Sequence, residues 1–161
     1  MGLVREMDDA LVRPALMGDV KRIKTLVNGS AGDGKLLPSS FSELYSSVRD
    51  FMVVEKAGEV VAACALQLCW EGLAEIRSLV VDERFQGRGY ARKLLGGQVR
   101  EAKRLGVKRV FALTYLTDMF RKFGFAPIDK SELPHKIWVD CVKCSRFPDC
   151  DETAVAMEIK Q

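Results

Sequence analysis

With 161 residues, 48% apolar and 29% charged, the chain is long enough for one domain with its own core and lies outside the composition of disordered, collagen-like and membrane-embedded proteins. Its 25 basic and 22 acidic side chains leave a net charge of +3, yet ten basic and three acidic residues fall between positions 77 and 109, so that stretch carries +7 and the remainder −4. A field this local suits a small polyanion or a solvated helix face rather than the broad basic footprint of a nucleic-acid surface, and no nucleic-acid partner is expected.

Residues 11–13 read as a first strand. Asp19 stands where it can cap a helix whose side chains Val20, Ile23, Leu26 and Val27 share one face and which ends near Asn28-Gly29. After a glycine-rich loop at 29–34, Ser40 and Glu43 have capping-box spacing ahead of Leu44, Tyr45 and Val48, which predicts a second short helix. The period then changes. Runs at 51–55, 60–68 and 74–81, separated by turns at Ala57-Gly58 and Glu71-Gly72, read as three strands in meander spacing that pair antiparallel.

Beyond Gly89, the side chains of Ala91, Leu94, Leu95, Val99, Ala102 and Leu105 fall on one arc of a helical wheel, with Arg92, Lys93, Arg100, Lys103 and Arg104 pointing away and Gly106 ending the helix. Residues 108–114 form a buried strand, 118–123 a short helix stopped by Gly124, and 125–129 and 153–159 further strands. Strand, helix and strand across 74–114 require a right-handed crossover and therefore one parallel pair. The expected fold class is α/β (α+β), a mixed, mostly antiparallel sheet with flanking helices, in a single domain over 1–161 that contains a cysteine-rich segment at 133–152.

The longest uncharged, mostly apolar run, 60–70, is well short of the roughly 18–20 residues that span a bilayer, and no basic-then-apolar leader opens the chain. A cytoplasmic protein without a membrane partner is expected. Five cysteines are an odd set, which suits reduced thiols or metal ligands better than a disulfide framework. Cys64 and Cys69, within the apolar run, read as core. His135, Cys141, Cys144 and Cys150 could hold zinc through three thiolates and an imidazole, but the irregular second spacing speaks equally for a reduced turn that packs Trp138 on the core, and no metal is assigned.

The chemistry concentrates in the run Leu79-Val80-Val81-Asp82-Glu83-Arg84-Phe85-Gln86-Gly87-Arg88-Gly89-Tyr90-Ala91, where a strand feeds a glycine-containing loop that opens the basic helix. Gly87 and Gly89 permit a sharp turn that exposes successive N–H groups at a helix N-terminus, an arrangement that binds phosphate. A P-loop is absent, and the dinucleotide fingerprint fails because Arg92 stands where its third glycine belongs.

What remains, Gln86, Gly89 and Ala91 in the order Q-x-x-G-x-A, resembles the acetyl-CoA-binding motif [QR]-x-x-G-x-[GA] of the GNAT N-acetyltransferase superfamily. The run Met119-Phe120-Arg121-Lys122-Phe123-Gly124-Phe125 is similar to that superfamily's later signature. A narrower resemblance is carried by Leu36-Leu37-Pro38, Ala74-Glu75-Ile76-Arg77-Ser78-Leu79, Val110-Phe111-Ala112-Leu113-Thr114-Tyr115, Leu133-Pro134-His135-Lys136-Ile137-Trp138, and Phe147-Pro148-Asp149-Cys150-Asp151-Glu152. These look like the short, single-domain bacterial N-acetylglutamate synthases, which acetylate the α-amine of L-glutamate from acetyl-CoA at the start of arginine biosynthesis. Ser39 departs from the Leu-Leu-Pro-Arg-Ser run expected of that family.

The resemblance implies that the backbone of Gln86, Gly87, Arg88, Gly89, Tyr90 and Ala91 cradles the CoA pyrophosphate. Leu79, Val80 and Val81 would hold the pantetheine arm and polarise the thioester where strands 74–81 and 108–114 splay, and Arg121 would join the cofactor site. Glu75, on the strand before the loop, is the candidate base, acting through water. The superfamily's general acid is a tyrosine, but Phe120 occupies its place, which leaves Tyr115 as a substitute. Arg77 is the first candidate for the substrate carboxylates, with Lys136 and Arg146 behind it. Related domains often dimerise through the C-terminal strand region. Two rivals stand beside this reading: acetylation of another amino acid or small amine, and a non-catalytic module that binds acyl-CoA or zinc.

Overall fold

The computed structural model describes residues 9–32, 39–133 and 152–160. The elements are β1 (Leu11–Pro14), α1 (Val20–Gly32), α2 (Phe41–Ser46), β2 (Phe51–Lys56), β3 (Glu59–Trp70), β4 (Leu73–Val81), α3 (Tyr90–Arg104), β5 (Arg109–Thr114), α4 (Thr117–Phe123), β6 (Ala126–Pro127) and β7 (Thr153–Glu158). They build a seven-stranded sheet in the order β1-β2-β3-β4-β5-β7-β6. Only β4 and β5 pair in parallel among the described strands, and α3 is the crossover between them, so the mixed sheet expected from the sequence is present.

Side-chain alternation divides the core between the two sheet faces. Val54, Cys64, Leu66, Ile76, Val110 and Ala112 point to one face and are covered by Leu94, Leu95 and Ala102 of α3. On the other face Val20, Ile23 and Val27 of α1 cover Phe51, Val53, Ala63, Ala65 and Val80. A separate cluster of Phe111, Leu133, Ala154 and Ala156 covers the β5–β7 end of that second face. The two clusters on the second face do not merge, and the strip between them is where the polar residues described below collect.

Several local expectations change. Asp19 caps no α-helix: its carboxylate accepts from the Leu16 N–H at 2.7 Å and pairs with the Arg13 guanidinium at 2.8 Å, which ties the 3-10 turn Met17–Asp19 to β1. Helix α1 runs past Asn28-Gly29 to Gly32 because the Asn28 amide is turned outward, bonding the Ser39 main chain at 3.0 and 3.4 Å instead of ending the helix. The Ser40–Glu43 pattern is realised: the Ser40 hydroxyl accepts from the Glu43 N–H at 3.1 Å. Leu105 lies just past the end of α3 and is exposed, while Gln98, on the apolar arc of that helix, is buried. The strand expected at 125–129 shrinks to Ala126–Pro127 because the chain turns at once into the 3-10 turn Lys130–Glu132, capped by Asp129.

The α3 seam seats the crossover on the sheet, and Leu94 within it has no exposed surface. Leu94→Ala is expected to cost about 2–5 kcal/mol in denaturant unfolding, and a loss below about 1 kcal/mol would show that α3 does not seat on this core.

Candidate functional site

The parallel ladder between β4 and β5 is short. Leu73 pairs with Arg109, Ala74 with Val110 and Glu75 with Phe111, and there registered pairing stops. Past that point β4 continues to Val81 along β3 and β5 continues to Thr114 along β7, so the two strands open a wedge inside the sheet, as the family resemblance implied. Among the described residues the wedge presents a strand edge without a strand partner, which can receive the main-chain-like amides of an extended ligand.

Just beyond the wedge's apex β4 is irregular. Ala63 pairs with Val80 and Ala65 with Arg77, so Ser78 and Leu79 together oppose the single residue Cys64. Ser78 adopts φ +53°, a left-handed conformation that a non-glycine residue takes at a cost. The bulge inverts the facing of the strand: before it Ala74 and Ile76 point toward α3, after it Leu79 and Val81 do so, and Val80 turns to the α1 face. Main-chain groups at the bulge are thereby released from the regular ladder beside the wedge.

At the far end of β4 the loop is stiffened by charge. Asp82 accepts from the Arg84 N–H at 2.9 Å and from the guanidinium of Arg84 at 2.9 Å, and a further bond comes from Arg22 of α1. The guanidinium of Arg84, the first of these partners, holds the Asp82 carboxyl well below the usual carboxylate range. The Gln86 amide donates to the Val81 carbonyl at 3.3 Å, which folds the loop back on the strand end. Gly87 and Gly89 take φ of +79° and +81°, so the left-handed turns expected of them are present. Gly89 is the N-cap of α3 and has no side chain to offer; the first main-chain bond into the helix runs from the Lys93 N–H to the Gly89 carbonyl at 3.1 Å. An uncapped N-terminus directs its leading N–H groups and the positive end of the helix dipole into the loop. The Arg88 guanidinium lies 4.9 Å from the Phe85 ring centre, and Phe85 in turn stacks on Tyr90. A cleft of about 260 Å³ lies between α3 and α4, lined by Arg92, Leu95, Met119, Lys122 and Phe123. Arg121 is exposed on α4, and the cleft takes its neighbour Lys122.

Of the polar side chains described, three are buried: Glu75, Thr114 and Gln98, at 7%, 7% and 1% exposure. Glu75 closes the apex of the wedge on the α1 face. Arg77 follows on the same face, its Nε 3.3 Å from Glu75 Oε1 and its Nη1 donating to Gln67 Oε1 at 2.7 Å. Gln67 is the register partner of Glu75 on β3, so the three side chains form one polar strip between the two apolar clusters. Thr114 ends β5 on the other side of the wedge, where its hydroxyl accepts from the Leu116 N–H at 2.8 Å. Tyr115, the next residue, is 39% exposed. Phe120 is a core side chain packed edge-on against Phe125 at 5.1 Å between ring centres. Cys64 is buried and its thiol is pushed up by desolvation, which removes it as a nucleophile, and Cys69 packs partly buried against the cluster under Phe111.

Lys136, Arg146, His135, Cys141, Cys144 and Cys150 lie outside the described residues, as do Leu36, Leu37, Pro38 and Trp138. Among the described residues no group of three or more His, Cys, Asp or Glu could hold a metal, and no helix is long and apolar enough to cross a membrane. Sequence reasoning missed Gln67, Ser78, Thr114 and Gln98. Gln67 breaks an apolar strand at an inward position and Gln98 interrupts an apolar helical arc, so both were marked by period; nothing in the sequence marks Ser78 as the bulge.

The description of the family model that matches residues 30–125 is Acetyltransferase (GNAT) family. An uncharacterized N-acetyltransferase of Chlorobaculum tepidum is 37% identical over 91% of this chain and 95% of its own length. An amino-acid acetyltransferase of Mycobacterium tuberculosis is 34% identical over 80% of this chain and 75% of its own. Among solved structures, N-acetylglutamate synthase of Neisseria gonorrhoeae, complexed with coenzyme A and N-acetyl-glutamate, superposes with a TM-score of 0.85 at 26% identity, covering 94% of this chain. This chain spans about a third of that synthase, 35% of its length.

The Asp82 charge network predicts a pH signature. A carboxylate whose folded pKa is depressed stabilises above its unfolded value near 3.9, and that contribution is lost as pH falls through the folded value. The melting temperature of Asp82→Asn is therefore expected to lie below that of the native chain at neutral pH, with the gap closing below about pH 4. A gap that stays constant into acid would remove the network as the cause.

Proposed function

The chain belongs to the acetyltransferase (GNAT) family, and from that premise we propose that it acetylates the α-amino group of an amino acid, L-glutamate before others. It is an acyltransferase with the family's mixed sheet, and acetyl-CoA is its cosubstrate. The observation that carries the reading is the wedge: a buried carboxylate at its apex, a strained bulge on its wall and an uncapped helix N-terminus at its mouth.

The fit to acetyl-CoA can be judged from these features. The loop through Gln86, Gly87, Arg88, Gly89, Tyr90 and Ala91 offers main-chain N–H groups and the helix dipole to a diphosphate, and Arg92 with Lys122 adds cationic walls to the adjoining cleft. The free edge of β4 along Leu79, Val80 and Val81 matches an extended arm bearing amides. When bound, acetyl-CoA supplies an activated thioester whose thiolate can leave. Main-chain N–H groups near Val80 and Val81 stabilise negative charge that develops on the thioester oxygen. Glu75 takes the ammonium proton of the incoming amino acid, through a water, so that a neutral amine attacks. Arg77 pairs with a substrate carboxylate, with Lys136 as a further contact. A hydroxyl at the end of β5, Tyr115 or the buried Thr114, hydrogen-bonds the departing sulfur; a thiol with a pKa near 8.5 needs no stronger acid.

An amino-acid substrate is favoured by the amino-acid acetyltransferase relatives and glutamate by the N-acetyl-glutamate complex of the Neisseria gonorrhoeae synthase, and on that reading the product opens arginine biosynthesis. A second amine substrate is favoured by one observation, that Arg77 is already bonded to Gln67 and Glu75 while Ser39 stands where an arginine was expected. The acyltransferase relatives speak against a non-catalytic binding module.

Thiol release from acetyl-CoA across L-amino acids, polyamines and a lysine peptide tests the reading. L-Glutamate is expected to give the highest kcat/KM, and good turnover of another amine with none for glutamate would contradict it. Glu75→Gln is expected to lower kcat/KM by about 10²–10⁴-fold with CoA affinity retained. Arg77→Ala is expected to raise KM for glutamate by about tenfold to a hundredfold, matching one lost charged hydrogen bond of about 1.5–3 kcal/mol.

A further inference from the structure

Gln98 is the most buried polar side chain described, and the reaction as derived makes no use of it. Its Nε2 donates to two main-chain carbonyls at once, Cys64 at 2.6 Å and Asp50 at 3.0 Å. Two carbonyl acceptors demand two N–H donors from one uncharged group, which the amide of glutamine supplies and an apolar or carboxylate side chain does not. The glycine before it faces the same strands: a Cβ on Gly97 would come within 2.9 Å of Met52 Sδ, so a side chain there would displace the Met52 thioether.

The location of the clip gives it meaning. Cys64 is the residue of β3 that lies opposite the Ser78–Leu79 bulge, and Asp50 immediately precedes β2, whose Met52 is the register partner of Cys64. Gln98 therefore fastens α3 to the sheet at the row that contains the bulge. The same helix begins at Tyr90, beside the loop at the wedge mouth. A ligand held at both ends, by the α3 N-terminus and by the bulge of β4, reacts only if the distance between those two holds is fixed. Unfastening α3 lets it slide along the sheet, and misplacement by about 1 Å can cost 10²-fold in rate.

We propose that Gln98 is a positioning residue that sets the register between the diphosphate loop and the thioester-facing bulge, so that acetyl-CoA bound at the loop is aimed at the amine. The proposal rests on the acetyltransfer reading above. Gln98→Met keeps the side-chain volume and removes both donors, and Gln98→Asn keeps the amide on a stem one methylene too short to reach both carbonyls. Leu94→Ala, in the core of the same helix, serves as the control for lost stability.

The experiment measures kcat, KM for acetyl-CoA and the Kd of CoA for the native chain and the three variants, with whichever amine the native chain acetylates best, well below each melting temperature. Expected is a fall in kcat of about tenfold to a hundredfold for Gln98→Met, with CoA Kd within about threefold of native and Leu94→Ala near native in kcat. If Gln98→Met does not fold, Gln98→Asn is expected to show the same split to a smaller degree. Folded Gln98 variants whose kcat stays native while only the melting temperature drops would overturn the proposal and leave the acetyltransferase reading intact. Absence of turnover by the native chain with every amine would overturn both.

Discussion

Pairing between β4 and β5 ends at Glu75 and Phe111, and the chemistry proposed for this chain depends on that ending. A continuous sheet separates its two faces. Where the ladder is interrupted, a ligand reaching down from the α3 side can present its reactive end to a second molecule arriving from the α1 side, without either passing through a packed core. Glu75, Arg77 and Gln67 lie on the α1 face of that opening, whereas the glycine loop and the cleft between α3 and α4 lie toward the other.

The opening has structural consequences that the surrounding residues absorb. Released main-chain groups of β4 are costly unless a partner is provided, and a left-handed Ser78 adds backbone strain of order 1–3 kcal/mol. Apolar clusters on both faces hold the strand in place around the bulge, α3 covering one and α1 the other. The Asp82 network holds the end of the strand in the same way, tying the loop to α1 through Arg22 and to the β2–β3 turn through the contact of Arg84 with Glu59. Rigid supports on both sides let the strained bulge persist beside the wedge.

Much of this was legible in the sequence because it is written in local signals. The meander followed from strand runs broken by Ala57-Gly58 and Glu71-Gly72, the crossover from the apolar arc after Gly89, and the left-handed turn into α3 from two glycines ahead of a basic helix. The splay between 74–81 and 108–114 came from the family resemblance and is present. What was not legible depends on tertiary pairing. Asp19 has the composition of a helix cap, but Arg13 across the turn is a stronger partner. A bulge at Ser78 is set by how β4 registers with β3, and serine carries no mark of a left-handed conformation. Gln98 and Gln67 sat at inward positions of regular patterns, where a polar residue in an apolar series was the available clue. Arg77 was singled out for its charge, and Glu75, two residues before it on the same strand, was already a possible partner; the bond to Gln67 exists only because β3 lies beside β4.

The central claim is that the main chain of β4 at the bulge and of the loop into α3 together grip one acyl-CoA. Backbone amide NMR during titration with acetyl-CoA tests it most directly. The account predicts that the amides of residues 78–81 and 86–91 move together, saturating at one equivalent, with Gly72 and Lys108, at the opposite end of β4 and β5, unmoved. Saturable binding that shifts amides elsewhere and leaves both stretches unchanged would contradict it.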